Sequence, residues 1–209
     1  MHRRGLLIAV SGPSGTGKGT VLKNLRNNDD NIKFSISATT RAPREDEIEG
    51  KNYFFKTVEE FKKMVDNGEI IEWDYFCGNY YGTPGKYIEE CIENGHDVIL
   101  EITVSGAINI KKKYPDCVLI FLLPPSFDEL KNRIITRGTE DKEVIEKRLR
   151  KAFEEIQYIN EYDYVVINDN IKEAAEKLRC IISAEKSRTD RNIDILKHFN
   201  IPNDFKLII

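Results

Sequence analysis

The stretch Gly12-Pro13-Ser14-Gly15-Thr16-Gly17-Lys18 constrains this chain more than any other part of it. It follows the apolar run Leu6 to Val10 and precedes Gly19 to Asn27, where Val21, Leu22 and Leu25 fall on one helical face. Strand, glycine-rich loop and helix in that order are the setting a G-x-x-x-x-G-K phosphate loop requires. The glycines let successive backbone N–H groups turn inward around phosphate oxygens, the helix adds its positive end, and Lys18 supplies a mobile full charge. Gly12, Pro13, Ser14, Gly15, Thr16, Gly17 and Lys18, with Gly19 and Thr20 behind them, are therefore the candidate triphosphate-binding residues. His2, Arg3 and Arg4 ahead of Leu6 are read as the lead-in to a core strand rather than as a secretory signal, because the apolar stretch is short and the loop follows at once.

The rest of the chain continues in the same style. Val98 to Leu100, Val118 to Leu123 and Tyr164 to Ile167 read as buried parallel strands with helical stretches between them. Thr57 with Glu60 and Ser126 with Glu129 match the S/T-x-x-E capping box, and Gly68, Gly95 and Gly138 fall where helices should stop. This alternation predicts an α/β fold: a three-layer core around a parallel sheet, whose ligands bind beyond the carboxyl ends of the strands. Residues 37–95 break the rhythm. Rich in Tyr, Phe, Arg and Glu, they read as an inserted small unit with a mixed or antiparallel sheet, and a second, more charged insertion runs from Arg137 to Arg150. Residues 1–36, 96–136 and 156–187 then form the core, and 188–209 a C-terminal tail with no assigned role beyond packing or self-association.

Composition excludes several classes. With 209 residues, 40% of them hydrophobic, the chain can bury one full core without disulfides or metal. A net charge of −3 provides no global basic field, so nucleic acid is not expected as a partner. Cys77, Cys91, Cys117 and Cys180 form no C-x-x-C pair and are read as reduced thiols, and the apolar runs are too short to cross a bilayer. A cytoplasmic enzyme without membrane contact is the expectation.

Two details bear on the chemistry of the site. The hydroxyl residue usual after the loop lysine is Gly19 here, and a hydroxyl arrives only at Thr20. No direct protein ligand for Mg2+ is therefore assigned; the ion is expected on the triphosphate oxygens, with Thr20 and the strand-end Glu101 as candidate contacts. In the inserted unit, Arg41, Arg44 and Tyr53 lie within a Pro-bent stretch, and two guanidinium forks with a phenol can grip a second phosphate.

The chain resembles the guanylate kinase family from about Leu6 to Lys186. The resemblance rests on Gly12 to Lys18, Thr39-Thr40-Arg41-Ala42-Pro43-Arg44, Ile71-Glu72-Trp73, Gly78-Asn79-Tyr80-Tyr81-Gly82-Thr83, Arg137-Gly138-Thr139-Glu140 and Asn168-Asp169, in that order. It implies transfer of the γ-phosphoryl group of ATP, as its Mg2+ complex, to GMP or dGMP, by a monomer or homodimer. It also implies that Arg41, Arg44, Tyr53 and Tyr81 hold the GMP phosphate and that Ser37, Glu72 and Thr83 face guanine, with Glu101 and Thr103 beside them. Lys18, Arg41, Arg137 and Arg148 become the catalytic cations, the last two from a short, mobile helical lid at 137–155, and Asn168 lies beside the adenine. One ionised carboxylate on Glu72 can accept both the ring N–H and the adjacent amino group of guanine, a donor pair that adenine lacks.

The match departs from the family where Thr103 stands for the usual Asp and Ser105 for the usual Gln. Thr103 can exchange one hydrogen bond but carries no charge. A monophosphate kinase with altered base preference therefore stays open. So does a non-catalytic relative that holds a phosphopeptide on the same arginines and tyrosines, although the intact Lys18 loop argues against it.

Overall fold

The computed structural model describes residues 4–26, 31–76, 78–136 and 142–193. Strand β1 (Leu7–Ser11) runs through the middle of a five-stranded parallel sheet. With β2 (Ile32–Phe34), β7 (Asp97–Glu101), β8 (Val118–Leu123) and β9 (Tyr164–Ile167), the order is β2-β7-β1-β8-β9. Ile8 pairs with Ile99 on one side and Val118 on the other, and Val10 with Glu101 and Ile120, so Glu101 ends β7 beside the end of β1 while β8 runs on to Leu123.

Both faces of this sheet are covered, which is why its strands read as continuous apolar runs rather than alternating ones. Ile8 and Val10 pack under Val21, Leu22 and Leu25 of α1 (Lys18–Arg26) and under Ala174, Ala175 and Leu178 of α7 (Ile171–Lys186). Leu7 and Ala9 face Ile88 and Ile92 of α3 (Gly85–Glu93) and Ala107 and Ile110 of α4 (Val104–Lys113). The expected three-layer core is present, with β1 and α1 each displaced by about one residue from the sequence reading, within the ordinary uncertainty of element ends.

The inserted unit has its own sheet, order β4-β3-β6-β5, built from β3 (Ala38–Thr39), β4 (Phe54–Phe55), β5 (Ile70–Phe76) and β6 (Asn79–Pro84). It is mixed: β3 runs parallel to β4 but antiparallel to β6, and β5 antiparallel to β6. Helix α2 (Val58–Asp66) closes it. The capping box is formed, with Thr57 Oγ1 accepting from Glu60 N at 3.1 Å and Glu60 Oε2 from Thr57 N at 2.7 Å. At Ser126 only half of the box forms: Ser126 Oγ accepts from Glu129 N, while the Glu129 carboxylate pairs with Arg133 one turn on. Gly68 and Gly95 have the positive φ that ends a helix, and Gly138 lies outside the described residues.

Helices α5 (Phe127–Thr136) and α6 (Lys142–Ile156) pack through Leu130, Ile134 and Ala152. Helix α6 is continuous up to a 3-10 turn at Gln157–Glu161, so the stretch read as a lid ends in a helix rooted beside the core. The start of the tail forms α8 (Thr189–Asn192), held where the guanidinium of Arg191 donates to Asp116 O at 3.1 Å and to buried Glu185 at 3.3 Å. Cys91, Cys117 and Cys180 are free thiols, and no helix among the described residues is long and apolar enough to cross a membrane.

The insert's apolar cluster is small and separate, centred on Phe61 with Ala38 and Ile70. Phe61→Ala is expected to cost about 3–5 kcal/mol. Hydrogen exchange should show faster opening across β3, β5 and β6, with protection in β1 and β8 unchanged.

Candidate active site

The glycine-rich loop from Gly12 to Lys18 is shaped by what lies behind it. Gly12 has φ +146°, and a Cβ there would meet Leu122 O at 2.2 Å, so the loop lies directly on β8 and only glycine fits. From the end of β9, the buried Asn168 donates from Nδ2 to Thr16 O at 2.7 Å, bracing the loop across the sheet. Thr16 Oγ1 and Asn168 Oδ1 are buried without a hydrogen-bond partner among the described residues. Lys18 Nζ donates to Gly12 O at 2.5 Å and more weakly to Pro13 O at 3.4 Å, which curls its side chain over the loop. Glu101 faces the head of α1, since a Cβ on Gly19 would lie 3.6 Å from Glu101 Oε1. Glu101 and the exposed Thr20 thus offer oxygen donors on one side of the loop, as hard cations prefer. Among the described residues, no cluster of three or more His, Cys, Asp or Glu side chains could hold a metal.

Across the cavity, β5 and β6 present one face. Glu72 pairs with Thr83 and Asp74 with Tyr81, and because side chains alternate along strands these residues point together toward the N-terminus of α4. Glu72 is only 7% exposed and accepts from Thr83 Oγ1 at 2.5 Å. Burial pushes its carboxyl up from 4.5 to about 7, against the Thr83 hydrogen bond and with a smaller push from Asp74. Helix α4 comes so close that a Cβ on Gly106 would stand 2.5 Å from Glu72 Oε2. Thr103 is the N-cap of α4, accepting from Gly106 N at 3.1 Å and donating to Asp74 Oδ2 at 2.8 Å.

The basic stretch is pre-organised by an acid. Arg41 donates to both carboxylate oxygens of Glu47, at 2.8 and 2.9 Å, and to Ala42 O at 2.7 Å, while its guanidinium lies 5.4 Å from the centre of the Tyr53 ring. That pairing raises Arg41 and holds Glu47 below the usual carboxylate range. Arg44 is exposed on the same loop, with its backbone N–H on Glu47 Oε2 at 2.9 Å.

One cavity of about 670 Å³ joins the two halves, a volume suited to small-molecule ligands. Ser37, Tyr53, Glu72, Tyr81, Glu101 and Thr103 line it together with the loop from Gly12 to Thr20, apart from Pro13. Thr83 lies behind Glu72, Arg41 stands against Tyr53 at the rim, and Asn168 is behind the loop. Arg148 is on α6, two turns before Glu155 on the same face, and does not line the cavity; Arg137 lies outside the described residues. Six lining residues were not among the site residues read from the sequence: Asp74, Gly82, Ile102, Arg133, Thr136 and Glu155. Asp74 follows Glu72 at the strand period, a legible signal; buried Glu155, raised by burial and drawn the other way by Lys18, carries none.

Comparison with known proteins agrees with this geometry. The guanylate kinase family model matches residues 4–185. A guanylate kinase from Caldanaerobacter subterraneus is 53% identical over 195 residues, covering 93% of this chain and 95% of that protein. One from Bacillus cereus is 54% identical over 190 residues, covering 90% and 93%. The crystal structure of guanylate kinase from Anaplasma phagocytophilum superposes with a TM-score of 0.75 at 36% identity, covering 90% of this chain and 89% of that one. A phosphate loop facing a guarded acid across one cavity, in a chain matched along nearly its whole length, thus has a plain reading: the chain belongs to the guanylate kinase family.

Proposed function

We propose that the loop from Gly12 to Thr20 holds the triphosphate of ATP, that the face made by Ser37, Glu72 and Thr83 holds the guanine of GMP, and that Arg41, Arg44, Tyr53 and Tyr81 hold its phosphate. The observation that carries this reading is the single cavity with Lys18 at one end and buried Glu72 at the other. Glu72 suits the ring N–H and amino group of guanine because its Oε1 is already oriented by Thr83 and Oε2 faces α4. Asn168 acts first as a brace for the loop.

An oxygen of the GMP phosphate attacks the γ-phosphorus of ATP in line, the bond to the β,γ-bridging oxygen breaks, and ADP and GDP result. The acceptor is already an anion, so the main task is to hold two anions together and screen the charge that spreads over the equatorial oxygens. Lys18 leaves the loop carbonyls to do so. Arg148, and Arg137 from outside the described residues, join it when the N-terminal half of α6 swings toward the loop as a lid. Thr20 and Glu101 would be the residues to hold magnesium, directly or through water, and the ion would supply charge neutralisation to the triphosphate. We place this activity in purine nucleotide metabolism and in a reducing cytoplasm, a compartment that the free thiols of Cys91, Cys117 and Cys180 fit. Monomeric and homodimeric forms both remain compatible with this chemistry.

ADP formation from MgATP, measured with each monophosphate in turn, tests the reading. Turnover is expected with GMP and dGMP, with AMP, UMP and CMP far behind; a broad profile would indicate altered base preference, and no turnover the binding-module alternative. Lys18→Ala should abolish transfer while GMP still binds, and wild-type turnover in that variant would remove Lys18 from the mechanism.

Glu72 yields a pH dependence. Its folded value of about 7 lies above the ordinary 4.5, so stability is highest below 4.5 and is lost as pH rises through about 7, where the buried carboxyl must ionise. Guanine donors favour the ionised form, so binding reverses that balance. Below pH 7 the GMP affinity of the wild type should fall about tenfold per unit more steeply than that of Glu72→Gln. The nucleotide phosphate titrates alike in both proteins, so their difference isolates Glu72. Parallel profiles would remove Glu72 from the guanine site.

A further inference from the structure

Asp74 is the one acid on the acceptor face that the reading above leaves without a task. It stands two residues after Glu72 on β5, pairs across the sheet with Tyr81 and lines the same cavity. Both hydroxyls at the start of α4 converge on a single one of its oxygens: Thr103 Oγ1 donates to Oδ2 at 2.8 Å and Ser105 Oγ to the same atom at 2.5 Å. Thr103 is itself fixed as the N-cap, so the carboxylate is oriented from the core rather than left to rotate in solvent. Its other oxygen, Oδ1, is the acceptor that remains for a ligand.

The spacing fits one ligand feature. Residues two apart on one strand face are separated by about 6.5–7 Å along the chain. The two protons of an amino group diverge by 120°, so acceptors about 2.9 Å from its nitrogen sit about 5 Å apart. Two carboxyls on one strand face, leaning slightly together, bracket such a group. Guanine carries it: Glu72 takes the ring N–H and one amino proton, and the second amino proton points along the strand.

We infer that Asp74 is a specificity-determining residue that accepts the second amino proton of guanine, held in place by Thr103 and Ser105 at the head of α4. The inference rests on GMP being the acceptor nucleotide. It places the negative charge of the base site on β5, opposite the helix cap, and gives Thr103 and Ser105 the work of orienting it. Adenine offers no amino group at that edge, and hypoxanthine keeps the ring N–H but lacks the amino group altogether.

Inosine monophosphate, which differs from GMP only by that amino group, therefore isolates Asp74. For Asp74→Ala, kcat/KM for GMP should fall about tenfold to thirtyfold, chiefly through KM. The value for inosine monophosphate should stay within about twofold, and KM for MgATP should not move. A purely structural role would lower both acceptors together, and equal losses, or an unchanged ratio of GMP to inosine monophosphate, would overturn the inference. If the single variant does not fold, Asp74→Ala with Thr103→Asp carries the carboxylate across the same hydrogen bond and should restore the ratio; a folded double variant with no preference for GMP would also overturn it. Wild-type protein that turns over neither acceptor would instead remove the reading of GMP as substrate.

Discussion

Everything in this molecule is arranged around the carboxyl ends of three adjacent parallel strands. Because β1 is hydrogen-bonded in register to β7 and β8, the loop after β1, the acid after β7 and the backbone of β8 reach one rim. Gly12 rests on Leu122, Glu101 faces the head of α1, and Asn168 braces Thr16 from the next strand over. Were the register to slip by one residue, side chains would exchange faces, and the apolar layers under α1 and α4 would be lost together with the loop.

The cavity is not a simple basic pit. Arg41 and Lys18 are both engaged with groups of the protein, Arg41 on Glu47 and Ala42 and Lys18 on the loop carbonyls, while Glu72, Asp74, Glu101 and Glu155 all border the space. Such a balance suits a site that must accept two polyanions and a neutral base in different places. Arg41, already held against Glu47, loses little conformational freedom on binding, and a buried acid such as Glu72 penalises a base that cannot donate to it.

The core was legible because its signals are local. An apolar run, a glycine-rich loop and capping residues are each read within a few positions, and Val118 to Leu123 is the strand the sequence suggests, residue for residue. The glycine-rich end of the cavity followed from the same stretch. The acceptor side was legible only in part, because its contacts span the chain: Thr103 meets Asp74 across the space between α4 and β5, and Asn168 meets Thr16 between opposite ends of the sequence. A short parallel pairing such as β3 with β4 has no composition of its own, so the mixed character of the insert could be named but not its order. Glu155 could not be told from the other acids of a charged helix until packing buried it.

The buried carboxyl of Glu72 has a consequence for calorimetry. Since burial keeps a proton there up to about pH 7, a base that donates hydrogen bonds to both of its oxygens would displace that proton into the solvent. The heat released on mixing then contains the ionisation enthalpy of whatever buffer takes up that proton. Titrations in phosphate and in Tris would report different enthalpies for one and the same affinity, and the slope between them counts the protons that leave.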